Sequence, residues 1–172
     1  MSEDFEDSAE FTYEICNTKI RPIAEALINK YRELAHIDVD KILFIVNHRS
    51  AGSKRRVTLA KTMRMPPKWT ELLYQLGACS YFYIMEFYAK TTATMDESQM
   101  VALVYHELRR IGQEGEILSP DINEWYPMFV GLGRKWFYPD NTCPNLLDDS
   151  VDWKKLMGSY YEDIQSEGDN PM

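Results

Sequence analysis

The 172-residue sequence lacks the features that define several common classes of protein. Its three cysteines are far apart and form no C-x-x-C pair, so neither a zinc ribbon nor a disulfide framework is indicated. No apolar run approaches the length of a membrane span, and residues 1–10 have neither the basic nor the apolar region of a signal peptide. We therefore expect a cytoplasmic protein with free thiols and no membrane contact.

Positively charged residues are also fewer than negatively charged ones. The chain has 19 Lys and Arg residues against 27 Asp and Glu residues, which gives a formal net charge of −8 and a pI near 4.9. Proteins that bind the phosphate backbone present a basic surface, so we do not expect nucleic acid as a partner.

The composition is otherwise that of a folded protein. Hydrophobic residues make up 45% of the chain and aromatic residues 13%, which suffices for the core of one domain at this length. We place this domain at residues 11–157, between an acidic tail at residues 1–10 and an acidic C-terminal tail at residues 158–172.

The order of the predicted elements indicates the fold class. Strands are predicted where β-branched and aromatic residues cluster, and helices where apolar residues recur at helical spacing. The predicted strands cover residues 39–48, 57–65 and 81–90, and the predicted helices cover residues 21–35, 67–77, 95–112, 119–136 and 148–164. This order predicts an α+β fold in which a small mixed sheet packs against helices on one side.

Two of the predicted helices carry signals at their ends. The helix over residues 95–112 has Asp96 as its N-cap, Gln99 as the capping-box partner and Gly112 as its C-cap. The helix over residues 119–136 opens with Ser119-Pro120, and Pro127 is expected to bend or interrupt it.

The stretch VALVYHELRRIG, from Val101 to Gly112, begins like the active-site helix of a zinc protease. In the motif H-E-x-x-H, two histidines one helical turn apart bind zinc, and the glutamate acts as general base on the zinc-bound water. Here His106 and Glu107 are present, but Arg110 stands where the second histidine belongs. A guanidinium stays protonated and offers no lone pair to a metal, so the standard site is excluded.

The order of elements and the local motifs together resemble the zincin-like phage metallopeptidase family. The resemblance covers roughly residues 20–137. It rests on the strand KILFIVN, the segment AKTMRMPPKW, the aromatic strand that leads into the His-Glu helix, the segment PDINEW, and the Gly-x-x-Trp pattern at residues 133–136. It implies a zincin-like fold that includes an H-E-x-x-H-type helix.

The resemblance also assigns roles to individual residues. His106 corresponds to the first metal ligand and Glu107 to the general base, whereas Arg110 replaces the second ligand and Pro120 the third. The residues that match the acidic and aromatic positions farther along are Asp121, Glu124 and Trp125. Two of the three zinc ligands of the family are therefore replaced.

Arg110 has two interpretations. Without a cation, the carboxylates gathered in a zincin site would repel each other. The guanidinium of Arg110 can therefore replace the metal electrostatically, by bridging to Asp121 or Glu124. Alternatively, it points to solvent near the end of its helix, where a positive charge is also favourable.

The ligand chemistry weighs against enzymatic activity. It favours a catalytically impaired metallopeptidase homologue that binds another protein and needs no cofactor. The first alternative is an active metal-dependent hydrolase that holds zinc or another divalent cation on His106 with Asp121 and Glu124, and uses Glu107 as its base. The second is an acidic phage-encoded protein that inhibits a host nucleic-acid enzyme.

Overall fold

A computed structural model describes residues 11–49, 58–120 and 125–152. Both predicted acidic tails lie outside these ranges, as does most of the helix predicted over residues 148–164. The elements are the strands β1 (Tyr13–Ile15), β2 (Ile42–Asn47), β3 (Ala60–Arg64) and β4 (Tyr83–Tyr88), and the helices α1 (Asn17–Lys30), α2 (Pro67–Gln75), α3 (Ala89–Thr92), α4 (Glu97–Leu108) and α5 (Tyr126–Leu132). None of the helices in the described ranges is long and apolar enough to cross a membrane.

The four strands form one mixed sheet in the order β1-β2-β4-β3. The two central strands, β2 and β4, run parallel, and the edge strands pair antiparallel to them. One face of the sheet is apolar and packs against α1 and α4, and its buried side chains are Ile42, Phe44, Met85 and Phe87. The predicted α+β fold, with a small mixed sheet against helices, is confirmed.

Helix α1 begins at Asn17, earlier than the predicted start at residue 21. The side-chain oxygen of Asn17 accepts a hydrogen bond from the Phe44 N–H at 2.9 Å, and the Cys16 N–H donates to the Phe44 carbonyl at 2.9 Å. Strand β2 therefore fixes the chain where the helix starts. Pro22 lies inside the helix rather than in its first turn, and its missing N–H costs one backbone hydrogen bond there.

The sequence pattern does not predict strand β1. All three residues of this edge strand are exposed, so they show no alternation of buried and exposed positions. Its pairing with β2, with Glu14 opposite Val46, is a long-range contact that no local pattern records.

The N-terminal end of α4 is the capping box that the sequence predicts. The Asp96 carboxylate accepts from the Gln99 N–H at 2.8 Å, and the Gln99 side-chain oxygen accepts from the Asp96 N–H at 2.9 Å. These two bonds satisfy N–H groups that a helix terminus otherwise leaves without a partner.

The predicted C-cap at Gly112 is wrong, because α4 ends at residue 108. Ile111 forms an isolated β-bridge with Ile117, and the Gly112 N–H donates to the Glu116 carbonyl at 2.9 Å. Residues 111–117 thus form a tight hairpin that draws the chain out of the helix before Gly112.

The predicted helix over residues 119–136 is also wrong at its start. Residues 119 and 120 are not helical, and α5 begins only at Tyr126. Pro127 therefore lies in the first turn of the helix, where its fixed φ is favourable and its missing N–H costs nothing.

Gln99 joins α4 to a segment far along the chain. Its side chain is buried, and its amide nitrogen donates to the carbonyls of Trp136 at 2.9 Å and Tyr138 at 2.8 Å. Together with the bond that the amide oxygen accepts from the Asp96 N–H, these contacts engage both the oxygen and the nitrogen of the Gln99 side chain. The sequence predicts the capping role of Gln99, but only the fold shows that it also anchors residues 136–138.

We predict that the substitution Gln99→Glu lowers the free energy of unfolding by about 2–4 kcal/mol, because the new carboxylate keeps the capping bond but faces two buried carbonyls without a proton to donate. Urea denaturation at neutral pH measures the change. Gln113→Glu makes the same replacement at an exposed position and should leave stability nearly unchanged. Equal stability of the two variants would contradict the anchoring role.

Candidate active site

The carboxylate of Glu107 is buried in the last turn of α4 and is the centre of the candidate site. Only 2% of its side chain is exposed. Oε2 accepts a hydrogen bond from Thr62 Oγ1 at 2.8 Å, and Oε1 lies 3.0 Å from His106 Nδ1. The Arg110 Nε lies 3.3 Å from Oε1 and 3.2 Å from Oε2. Both carboxylate oxygens are therefore engaged.

Thr62 reaches this site from the edge strand β3. It is 3% exposed and lies opposite Met85 in the sheet, so its side chain points to the face that α4 covers. Thr62 belongs to none of the sequence motifs that indicate the site. A signal was present, because alternation along AKTMR puts a hydroxyl on the same face as Ala60, where an apolar residue is expected.

Arg110 reaches Glu107 because of the way α4 ends. The Arg110 N–H donates to the Glu107 carbonyl at 3.1 Å, a bond that spans three residues and tightens the last turn. Its side chain then lies beside the Glu107 carboxylate, with 26% of it exposed. This contact differs from the interpretation in which the Arg110 side chain simply points to solvent.

The surroundings of Glu107 favour its charged form. Burial by itself raises the pKa of a carboxyl group, but the hydrogen bond and charge of His106, the Arg110 guanidinium and the Thr62 hydroxyl together lower the pKa of Glu107 below its ordinary value. A carboxylate held in this way is a weaker proton acceptor than an unpaired glutamate.

Aromatic residues cover the other side of His106. Its ring centroid lies 6.3 Å from that of Trp125 and 6.4 Å from that of Trp136, and 12% of its side chain is exposed. The indole N–H of Trp125 donates to the His106 carbonyl at 2.8 Å, and the Arg109 guanidinium carbon lies 5.1 Å from the Trp125 ring centroid. The segment that follows α4 in sequence thus folds back over its C-terminal end.

The described residues do not fit a zinc ion. They contain no group of three His, Cys, Asp or Glu side chains placed to hold a metal. At the second ligand position, Arg110 offers only donors, and Pro120 has no ligating side chain at the third. Asp121 and Glu124 lie outside the described residues, so their role as ligands and a bridge from Arg110 to either of them stay predictions.

The fold and this helix together define the class of protein. A small mixed sheet covers a helix that presents His106 and Glu107 beside an edge strand, which is a zincin-like arrangement. A family model described as "Putative phage metallopeptidase" matches residues 12–161, and the chain belongs to this family. The predicted resemblance is confirmed. Comparisons with the curated proteins and with the solved structures returned no match.

We predict that Arg110→Ala lowers the free energy of unfolding by about 1–3 kcal/mol, because it leaves the buried Glu107 carboxylate with less compensation. Arg134→Ala removes the same charge from an exposed position and should change stability little. Repeating Arg110→Ala in a Glu107→Gln background completes a double-mutant cycle, in which the loss should shrink. An unchanged loss in that background would mean that Arg110 acts elsewhere.

The lowered pKa of Glu107 predicts a pH-dependent part of the stability. A carboxyl group whose pKa is lower in the folded state than in the unfolded state stabilises the folded protein. This stabilisation is fully present above the unfolded-state pKa of a glutamate, about 4.3. It is lost as the pH falls through the folded-state pKa of Glu107. The wild type should therefore lose stability relative to Glu107→Gln when the pH is lowered below about 4.3. Denaturation curves of both proteins between neutral and acidic pH measure it, and a constant difference would contradict the shift.

Proposed function

We propose that this chain is a catalytically impaired member of the phage metallopeptidase family that works in the cytoplasm by binding another protein, without a metal cofactor. One observation carries the proposal: the Arg110 guanidinium contacts the carboxylate that would act as general base, at 3.2 Å.

The first argument concerns the base. In a zinc peptidase, the glutamate takes a proton from the metal-bound water, and it must have an available lone pair and a suitable pKa to do so. The Glu107 carboxylate instead accepts from Thr62 and contacts Arg110, and its pKa is lowered. A guanidinium keeps its charge at any pH at which proteins function, so this contact persists.

The second argument concerns the metal. A catalytic zinc requires three protein ligands and one open position for water. Arg110 puts a fixed positive charge one turn after His106, and this charge repels a cation at the place where the family binds one. We infer that the guanidinium takes over the electrostatic role of the metal and holds Glu107 in its charged form.

The expected result of a direct test is that purified, untagged protein carries no stoichiometric metal after dialysis against zinc and then against manganese. Elemental mass spectrometry measures the content. The substitution Arg110→His restores the second ligand of the motif and should raise zinc uptake several-fold, whereas Arg110→Gln removes the charge without supplying a ligand and should not.

The opposite outcome would support an active hydrolase. Near-stoichiometric metal in the wild type that disappears in His106→Ala would overturn the proposal and favour a site built from His106 with Asp121 and Glu124. Cleavage of a peptide library that depends on Glu107 would then assign the reaction, with Glu107→Gln as its control.

A further inference from the structure

A second surface of the molecule, lined by other residues than those that contact Glu107, has the character of a binding site. A groove of about 570 Å³ lies between α2 and the neighbouring ends of β3 and β4. Its apolar wall includes Met65, Pro66, Tyr74, Phe82 and Tyr83. A volume and lining of this kind suit the anchoring side chains of a bound peptide.

Helix α2 leaves an unusual amount of apolar surface in contact with water. None of its residues is buried, although its sequence is PKWTELLYQ. Trp69 and Tyr74 on the helix, Leu76 just after it and Phe82 before β4 are all exposed. A cluster of exposed aromatic and aliphatic side chains is typical of an interaction site on a soluble domain.

Arg64 lines the groove and Lys41 lies beside it, although the chain as a whole is acidic. The Arg64 guanidinium donates to the Gly115 carbonyl through Nε at 2.9 Å and Nη2 at 2.7 Å, and the Tyr83 hydroxyl donates to the same oxygen at 3.0 Å. Arg64 is therefore held in place by a neutral acceptor. Lys41 places its Nζ 5.2 Å from the ring centroid of Phe82.

Neither of these two cations, Arg64 and Lys41, is bound to a carboxylate in the part of the chain that the structure describes. Glu71 is the acidic residue of the groove lining, and its carboxylate accepts from Gln75 Nε2 at 3.1 Å. Arg64 and Lys41 together outnumber the one carboxylate of the groove lining. In a protein with a net charge of −8, two such cations beside exposed aromatic rings form a local site that attracts acidic groups.

We infer that this groove binds an acidic peptide segment of a partner protein. An aromatic or aliphatic side chain of the segment enters between Phe82 and Tyr74, and a neighbouring carboxylate pairs with Arg64 and Lys41. The inference rests on the proposed protein-binding function and names the chemistry of the partner. Basic segments are disfavoured because they would place like charges against both cations.

The test uses the full-length protein and three fluorescein-labelled peptides of equal length: GFLEEDG, its neutral counterpart GFLQQNG and its basic counterpart GFLKKKG. Fluorescence anisotropy should show saturable binding of the acidic peptide, with a Kd about tenfold lower than that of the neutral one and no saturable binding of the basic one. The affinity for the acidic peptide should fall as salt is added.

Variants assign the binding to the groove. Lys41→Gln should weaken binding of the acidic peptide several-fold, and Phe82→Ala or Tyr74→Ala should weaken all binding at least tenfold. Lys61→Gln removes an exposed positive charge of β3 and should have no effect, because Lys61 is not part of the groove lining and, unlike Lys41, does not lie over the Phe82 ring. Circular dichroism checks each fold, and Tyr74→Ala, which changes a largely exposed ring, keeps the test valid if Phe82→Ala does not fold.

Two results would overturn the inference: equal affinity for the acidic and basic peptides, or unchanged binding in Lys41→Gln and Tyr74→Ala. Failure of the proposed function has a different signature. Mass spectrometry of the recovered peptides would reveal Glu107-dependent cleavage, which contradicts catalytic impairment whether or not the groove binds. Intact peptides without binding contradict only the groove.

Discussion

The charge of Glu107 must be balanced inside the protein, and this requirement ties together parts of the chain that are far apart. A buried carboxylate is costly unless hydrogen bonds and an opposite charge replace the water it loses. The edge strand supplies the Thr62 hydroxyl, α4 supplies His106, and the turn after α4 supplies Arg110. Because Thr62 is a residue of β3, its hydrogen bond to Glu107 also depends on the position of this edge strand against α4.

The C-terminal half of the described chain completes this arrangement from the other side. Trp125 donates to the carbonyl of His106, and Gln99 at the opposite end of α4 holds the carbonyls of Trp136 and Tyr138. Both ends of the helix are thus fixed by hydrogen bonds to the same later segment. The two tryptophans limit the access of water to His106, which strengthens the electrostatic interactions around Glu107.

The proposed function assigns to two places in the molecule the tasks that a peptidase would combine. Around Glu107, the positive charge of Arg110 lies beside the buried carboxylate. At the groove beside α2, the Tyr74 and Phe82 rings and the Arg64 side chain are exposed, and Lys41 lies over the Phe82 ring. Recognition of a peptide does not require its cleavage, because recognition depends on burial and charge complementarity rather than on a metal.

Much of the fold follows from local patterns in the sequence. The strands β2, β3 and β4, helix α2 and the capping box of α4 were all predictable, since alternation, helical spacing and cap chemistry act within a few residues. The errors occur where distant contacts decide. Strand β2 fixes the start of α1 at Asn17, and the hairpin at residues 111–117 ends α4 before Gly112.

The candidate site divides in the same way. The sequence by itself determined that His106 and Glu107 lie on one helix and that position 110 cannot bind zinc, because these facts depend only on residue chemistry and helical spacing. Only the tertiary structure decided that Thr62 and Arg110 share the carboxylate of Glu107. It also decided that Arg64 and Phe82 line one groove beside α2 and that Lys41 lies over the Phe82 ring, because residues so far apart in sequence come together only when the sheet and its connections form.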